Sequence, residues 1–358
     1  MGHRRKSAPN RGSLGFRPRK RAKRISGKWR AMAAPWLDQQ PEPMLSGFPG
    51  YKVGMTHVVK IEEQKRSPHY KQERVVAATV VEIPKVVCYG LRVYKKGYQA
   101  PEVLTEVWAS HQAMRKHKDL VRKLHTPGEE RSPEVVASRV EEIKGMLDQI
   151  IEVRALLYTL PREAGLAKKR PDVVEVKVGS KDLSANIDWV AAQLGEEIVF
   201  AEHFQAGDYI DVSGVTKGKG FQGPVKRHGI KILPRKTRKG MRVVGAIGSW
   251  HPARVSWTTP RAGGMGFNNR TEYNKLILKI GENPREINPR GGFKHYGLVQ
   301  GPFILIEGSV PGSIKRMVRL RRPVRKTPKQ SPDSDPVRLS YTSVNFRVKD
   351  APEEEAET

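Results

Sequence analysis

The sequence predicts a mainly β protein with an α/β insertion, and three observations carry that prediction. Segments rich in Val, Ile and Thr, such as GYKVGMTHVVKIEE and ERVVAATVVEIPKVVCYGLRVY, number about six across the chain. Six is the right count for a small closed barrel. Between them, residues 101–205 change to helical spacing and a net acidic charge. Finally, Val212 to Thr271 follows neither period and holds thirteen Lys and Arg without an Asp or Glu. The predicted organisation is a basic extension over 1–45, the first part of the barrel over 46–100 and the insertion over 101–205. A barrel strand at 206–214, a basic loop extension over 215–271, the rest of the barrel over 272–325 and a tail over 326–358 follow.

Each element has its own justification. MGHRRKSAPNRGSLGFRPRKRAKRISGKWR shows no period, and Pro9, Pro18, Gly12 and Gly15 interrupt any that starts. A localisation-type patch and an unstructured tail are two readings of it. The embedded Phe16 and Trp29 favour a third, a strand threaded into RNA. Alternation then predicts strands from about Gly47 to Val87, with Pro84 marking an edge or bend. In the insertion, Ser132–Pro133–Glu134 is a helix start. Val136, Val140, Ile143, Leu147, Ile150 and Ile151 continue at helical spacing, and Pro161 ends the run. VVEVKVG reads as a strand, and Leu183, Ile187, Val190, Ala191 and Leu194 as a second helix closed by Gly195. FQAGDYIDVSGV, NKLILKIG, GPFILIEGSVPG and SIKRMVRLRRPVR return to strand. The end, APEEEAET, is acidic and reads as loosely held.

Charge placement is more informative than the net +29 over 358 residues. Residues 1–30 hold twelve Lys and Arg and no acid, and 315–329 hold eight, again with no acid. Outside these two segments and the central arm the chain sums to −4. A near-neutral body with basic segments attached calls for a polyanionic partner. In the arm, Phe221, Trp250, Trp257 and Phe267 interleave with the bases. Basic side chains answer phosphates, flat rings stack on bases, and glycines let backbone approach closely. The candidate RNA contacts are Arg4, Arg5, Lys6, Arg17, Arg19, Lys20 and Arg21 in the extension. In the arm they are Lys217, Lys219, Lys226, Arg227, His228, Arg235, Lys236, Arg238, Lys239, Arg242, Trp250, His251, Arg254, Trp257 and Arg261. So charged a segment should not fold alone, but should order inside nucleic acid.

Enzyme chemistry finds no support. Gly218, Gly220 and Gly223 form a literal G-x-G-x-x-G, but Pro224 follows at once, no helical period appears and no acid occurs before Glu272. A dinucleotide site needs a strand before the glycines, a helix after them and an acid about 20 residues on. No Walker A, H-E-x-x-H or G-x-S-x-G string is present. Glu141 and Glu142 fit a solvated helix face. The single cysteine, Cys88, excludes an internal disulfide and any Cys-rich zinc site, and its apolar setting predicts a buried, inert thiol. Neither a secretory signal nor an apolar run long enough to span a membrane is present, so a reducing, cytoplasmic setting is expected. No cofactor is called for, although structural Mg²⁺ among RNA phosphates would leave no sequence trace.

The strings KGKGFQGPVKRHG, LPRKTRKGMRVVGAIGSWHPARVSWTTPRAGGMGFNNRTEYNK and EGSVPG, with GHRRKSAPNRGSLGFRPRKRA and KVGMTH, carry a resemblance that spans essentially the whole chain. They resemble the universally distributed family of large-subunit ribosomal protein three, in its archaeal and eukaryotic form. The resemblance implies a six-stranded barrel of the translation-protein type with an inserted α/β region. It also implies that the N-terminal extension and a central finger reach into large-subunit ribosomal RNA (rRNA). In the family the finger ends near the peptidyl-transferase centre with a Trp at its tip, here Trp250. Arg235, Lys236, Arg238, Lys239, Arg242 and Arg254 around it are implied rRNA contacts. The family also binds the 3′ region of the large rRNA early in assembly, beside neighbouring ribosomal proteins. Arg238 stands where eukaryotic members carry a His that can be methylated. The competing reading is a translation factor or RNA-acting enzyme that binds transiently. It would need a nucleotide site or catalytic constellation, which the sequence lacks.

Overall fold

The computed structural model describes residues 9, 11–29, 35–62, 67–116, 118–124, 132–325, 339–342 and 346–347. Two compact units share the chain, Met1–Ile25 with Val215–Arg270, and Ser26–Gly214 with Thr271–Thr358. The principal strands are β1 (Gly47–Ile61), β2 (Glu73–Glu82), β3 (Val86–Lys95), β4 (Glu102–Trp108), β5 (Ile150–Thr159), β6 (Val173–Gly179), β7 (Tyr209–Val215), β8 (Asn269–Gly281), β9 (Phe303–Glu307) and β10 (Met317–Arg321). The helices are α1 (His111–Arg115), α2 (Lys118–Leu124), α3 (Pro133–Gly145), α4 (Leu183–Ala192) and α5 (Pro224–His228). None among the described residues is long and apolar enough to cross a membrane.

Six strands pair in a ring. β1 pairs with β2, β2 with β9, β9 with β8, β8 with β7, β7 with β10, and β10 returns to β1. The ring covers β1 on its second side only at Gly47–Tyr51, so the far end of this long strand keeps an edge that can pair. Val58, Val80, Ile210, Ile277, Ile304 and Leu320, one from each strand, are fully buried. Each such side chain contributes about 1.5–3 kcal/mol relative to exposure. Leu339–Thr342 adds to β1 at Val58–Lys60, so part of the tail is a paired strand.

The second sheet has the order β6-β5-β3-β4, all antiparallel, with Met44–Leu45 along β6 and Glu197–Ile198 along β3. On one face, α3 and α4 bury Val140, Ile143, Ile187 and Val190 in the core they share with the ring of strands. On the other, Met114 of α1 and Leu120 of α2 pack over Val87, Tyr89 and Tyr158. A polar pin joins the two sheets: the Tyr51 hydroxyl lies 2.8 Å from Thr159 Oγ1 and donates to Asp172 Oδ2 at 2.7 Å. Cys88 is buried, and burial pushes its thiol up to about 12.

Several expectations change. Residues 46–100 do not all join the six-stranded ring, because the chain turns at Ile83–Pro84–Lys85 and β3 enters the second sheet. The first helix starts as expected, with Ser132 Oγ accepting from Val135 N, but it ends at Gly145. Ile150 and Ile151 open β5, where the β-branched and aromatic run IIEVRALLYT favours strand. The extension proper is shorter than 1–45. Trp29 is 2 % exposed and sits against Gly47, where a Cβ would come 2.6 Å from the indole. It is a core residue, unavailable for base stacking.

The basic segment 315–329 also serves the fold over its described part. Arg321 donates to Asp211 Oδ2 at 2.6 Å, with both side chains buried. Arg322 donates to the carbonyls of Leu45 and His203 and lies over the Phe204 ring. Asp211 also accepts from Asn274 N at 3.0 Å and Val324 N at 3.3 Å. One carboxylate thus ties β7, β8 and β10 together.

Candidate nucleic-acid interface

The smaller unit is built from the described part of the N-terminal extension and the long connection between β7 and β8. The connection begins as a narrow ladder. Thr216 N donates to Asn268 O at 3.0 Å, Lys219 N to Met265 O at 2.9 Å, and Phe221 pairs with Gly264. Gly266 is needed there, because its φ is +74° and a Cβ would meet Lys217 O at 2.0 Å. The helix α5 follows, with Pro224 in its first turn and a left-handed Gly229 at its C-cap. The sequence shows no helical period after GKGFQG because the helix is only five residues long, too short to display one.

Beyond Gly229 the arm has no regular element until Gly263. Isolated bonds hold it: Leu233 N to Met241 O at 3.0 Å, Thr237 N to Pro234 O at 3.0 Å, and Thr259 Oγ1 to Ile247 O at 3.2 Å. Lys20, Arg21, Lys217, Lys219, Lys226, Arg235, Lys236, Arg238, Lys239, Arg242, His251, Arg254 and Arg261 are all exposed. Trp250 is 89 % and Trp257 66 % exposed on this charged surface. No acid occurs in 9–25 or 215–270, so no carboxylate of this unit can neutralise its bases.

Four candidates are placed differently. Arg17 is half-buried, donates to the carbonyls of Trp257 and Thr258, and lies 5.6 Å over the Trp257 ring. Arg19 donates to Arg227 O at 2.7 Å. Arg227 in turn donates to Gly264 O and Arg261 O, both at 3.0 Å. These three guanidiniums spend donors on backbone and brace the extension and the arm. His228 is buried, and burial with the charges of Arg19 and Arg227 lowers its pKa, so the ring is neutral and turned inward. Arg4, Arg5 and Lys6 lie outside the described residues. Two further side chains belong to the same surface: Arg270, which is not among the candidate contacts named from the sequence, and Phe221, one of the interleaved rings. Arg270 lies 4.6 Å over the Phe16 ring, and Phe221 is 78 % exposed. Both belong to the acid-free run, which is the signal that points to them.

The chemistry available is that of a binding surface. Ammonium and guanidinium groups face outward, where phosphates could meet them, and Trp250 offers an open ring for stacking while Trp257 carries the Arg17 guanidinium over one face. Among the described residues, no group of three or more His, Cys, Asp or Glu is placed to hold a metal ion.

Residues 1–348 match the family model described as ribosomal protein L3. The chain belongs to the ribosomal protein L3 family. It is 43 % identical over 322 residues to the large ribosomal subunit protein uL3 of Methanococcus aeolicus, covering 89 % of this chain and 92 % of that one. It is 45 % identical over 320 residues to that of Archaeoglobus fulgidus, covering 88 % and 92 %. The L3 family is one of structural ribosomal proteins, and this member is not an enzyme.

Proposed function

We propose that this protein is a structural constituent of the large ribosomal subunit in the cytoplasmic ribosome, and that the arm and N-terminal extension are embedded in large-subunit rRNA. The observation that carries the reading is the smaller unit itself, with its acid-free sequence, outward bases and two exposed tryptophans in a member of the L3 family. On this reading the barrel is of the translation-protein type and lies at the subunit surface beside neighbouring ribosomal proteins. The finger runs towards the peptidyl-transferase centre with Trp250 at its tip. Arg235, Lys236, Arg238, Lys239, Arg242 and Arg254 contact rRNA along it, and Mg²⁺ can bridge phosphates nearby. Binding near the 3′ end of the rRNA would put the protein early in assembly. Neutralising many phosphates makes such binding tight and steeply salt-dependent.

Sedimentation of the tagged chain from a lysate in moderate and high salt tests this. Co-migration with the large subunit through high salt is expected. Release by modest salt, or a peak away from that subunit, would support the transient factor instead.

A further inference from the structure

The connection between β8 and β9 is far longer than its geometry requires. These strands are antiparallel neighbours, which a turn of two to five residues can join, yet twenty-one residues separate Gly281 from Phe303. Loops of that length in a compact domain are usually functional. From Ile287 to Gly301 this one contains no acid, and Arg290, Lys294, His295 and Leu298 are exposed. Glu286, just before it, is paired with Lys279 at 2.9 Å.

The tip is held in one shape. Phe293 N donates to Gly297 O at 2.8 Å and Gly297 N to Phe293 O at 3.0 Å, closing a small turn. His295 at its apex has φ +66°, a conformation that non-glycine residues adopt only when their surroundings impose it. What imposes it lies beneath. Tyr296 is buried and its hydroxyl donates to Glu82, whose carboxylate also accepts from Gln300 N at 2.9 Å and Gly301 N at 2.7 Å. Glu82 is fully buried in β2. Asn288 bonds Val299 in both directions, at 2.8 and 2.9 Å, across the neck. Phe293 leans on Gly54 of β1.

We propose that this loop is a second RNA-binding site, carried by the larger unit, in which Arg290 and Lys294 engage backbone phosphates from a preformed turn. It differs in kind from the arm. The arm is long and braced by scattered bonds, whereas this turn is anchored to a barrel carboxylate and binds with little loss of conformational freedom. The proposal rests on the rRNA reading above for the identity of the polyanion.

The test uses the full chain and in vitro transcribed large-subunit rRNA, with affinity measured across a salt series. Arg290→Ala/Lys294→Ala should weaken binding roughly tenfold at moderate salt. It should also flatten the slope of log affinity against log salt by about 1 to 2. Tyr296→Phe should weaken binding with the slope unchanged, because it loosens the turn and removes no charge. Arg235→Ala/Lys236→Ala in the arm is the comparator. If the arm variant loses affinity while both loop variants bind with wild-type affinity and slope, the loop is not an RNA site. The proposal is overturned in that case even if the loop variants then enter subunits poorly, which would assign the loop to a protein neighbour. If neither the arm nor the loop variants change binding, this proposal and the rRNA reading fall together.

Discussion

Replacing Asp211 by Asn removes one charge from a pair that the fold has buried. The Asp211 side chain is fully buried, that of Arg321 is 4 % exposed, and they meet at 2.6 Å. Asparagine keeps the shape but has one acceptor oxygen where the carboxylate uses two, so it can still accept from the Asn274 amide while its NH2 group faces the Val324 amide and the guanidinium. It leaves the Arg321 guanidinium without its counter-charge. Stranding a buried ion in this way costs about 3–5 kcal/mol. With a urea m-value of about 3 kcal/mol/M, the unfolding midpoint should fall by about 1–1.7 M. Because β7, β8 and β10 all meet at this carboxylate, the loss should appear in the main cooperative transition. Adding Arg321→Met should recover most of it, since an apolar side chain needs no partner. A midpoint shift below about 0.3 M, or a double variant no more stable than the single, would refute the argument.

Three further outcomes follow from particular residues. His203 lies edge-on to Trp189 and is held down to about 4 by burial, and further by the nearby charge of Arg322. Above its unfolded value near 6.5 both states are neutral. As the pH falls below that, the unfolded chain takes the proton first, so stability is lost between about 6.5 and 4. His203→Gln should therefore lose about 1 kcal/mol less than wild type between pH 7 and pH 5.5, and superimposable pH profiles in denaturant titrations would contradict this. Trp250→Ala should leave the unfolding transition unchanged while altering peptide-bond formation or drug sensitivity in reconstituted subunits, and wild-type behaviour in both would count against the assignment of the tip. Charge reversal at exposed Glu141 and Glu142 should change rRNA affinity far less than reversal at Arg235 and Lys236, as read in the same binding assay.

The features legible in the sequence are those set by local pattern. Ser132–Pro133 marks a helix start because capping is decided within four residues, and the acid-free arm is plain from composition alone. Sheet membership is harder to read. Nothing in VVCYGLRVYK says whether it pairs with β2 or with β5, since that is settled by partners more than fifty residues away. Ile150 and Ile151 fit a helical face and an opening strand equally well, and the sheet resolves the ambiguity. Trp29 passes for an RNA-facing ring because its neighbours are cations. Its burial depends on Gly47, whose missing side chain makes room for the indole. Arg321 and Arg322 look like part of a basic arm because their partners, Asp211 and the His203 carbonyl, lie over a hundred positions earlier.

The ring has a bearing on the order in which things happen. β7 and β8 are hydrogen-bonded neighbours, so the two ends of the fifty-three-residue connection sit one strand spacing apart, about 4.8 Å. A two-residue turn could join them. The ring of strands can therefore close before the connection has found any partner, and the connection can be reshaped or lengthened without disturbing the register of the strands that hold it. On the rRNA-binding reading proposed above, folding and RNA capture become separable events on one chain, the first set by apolar burial and the second by ionic conditions. On that same reading, an assembling particle would receive this protein as a finished handle whose arm then settles against the RNA.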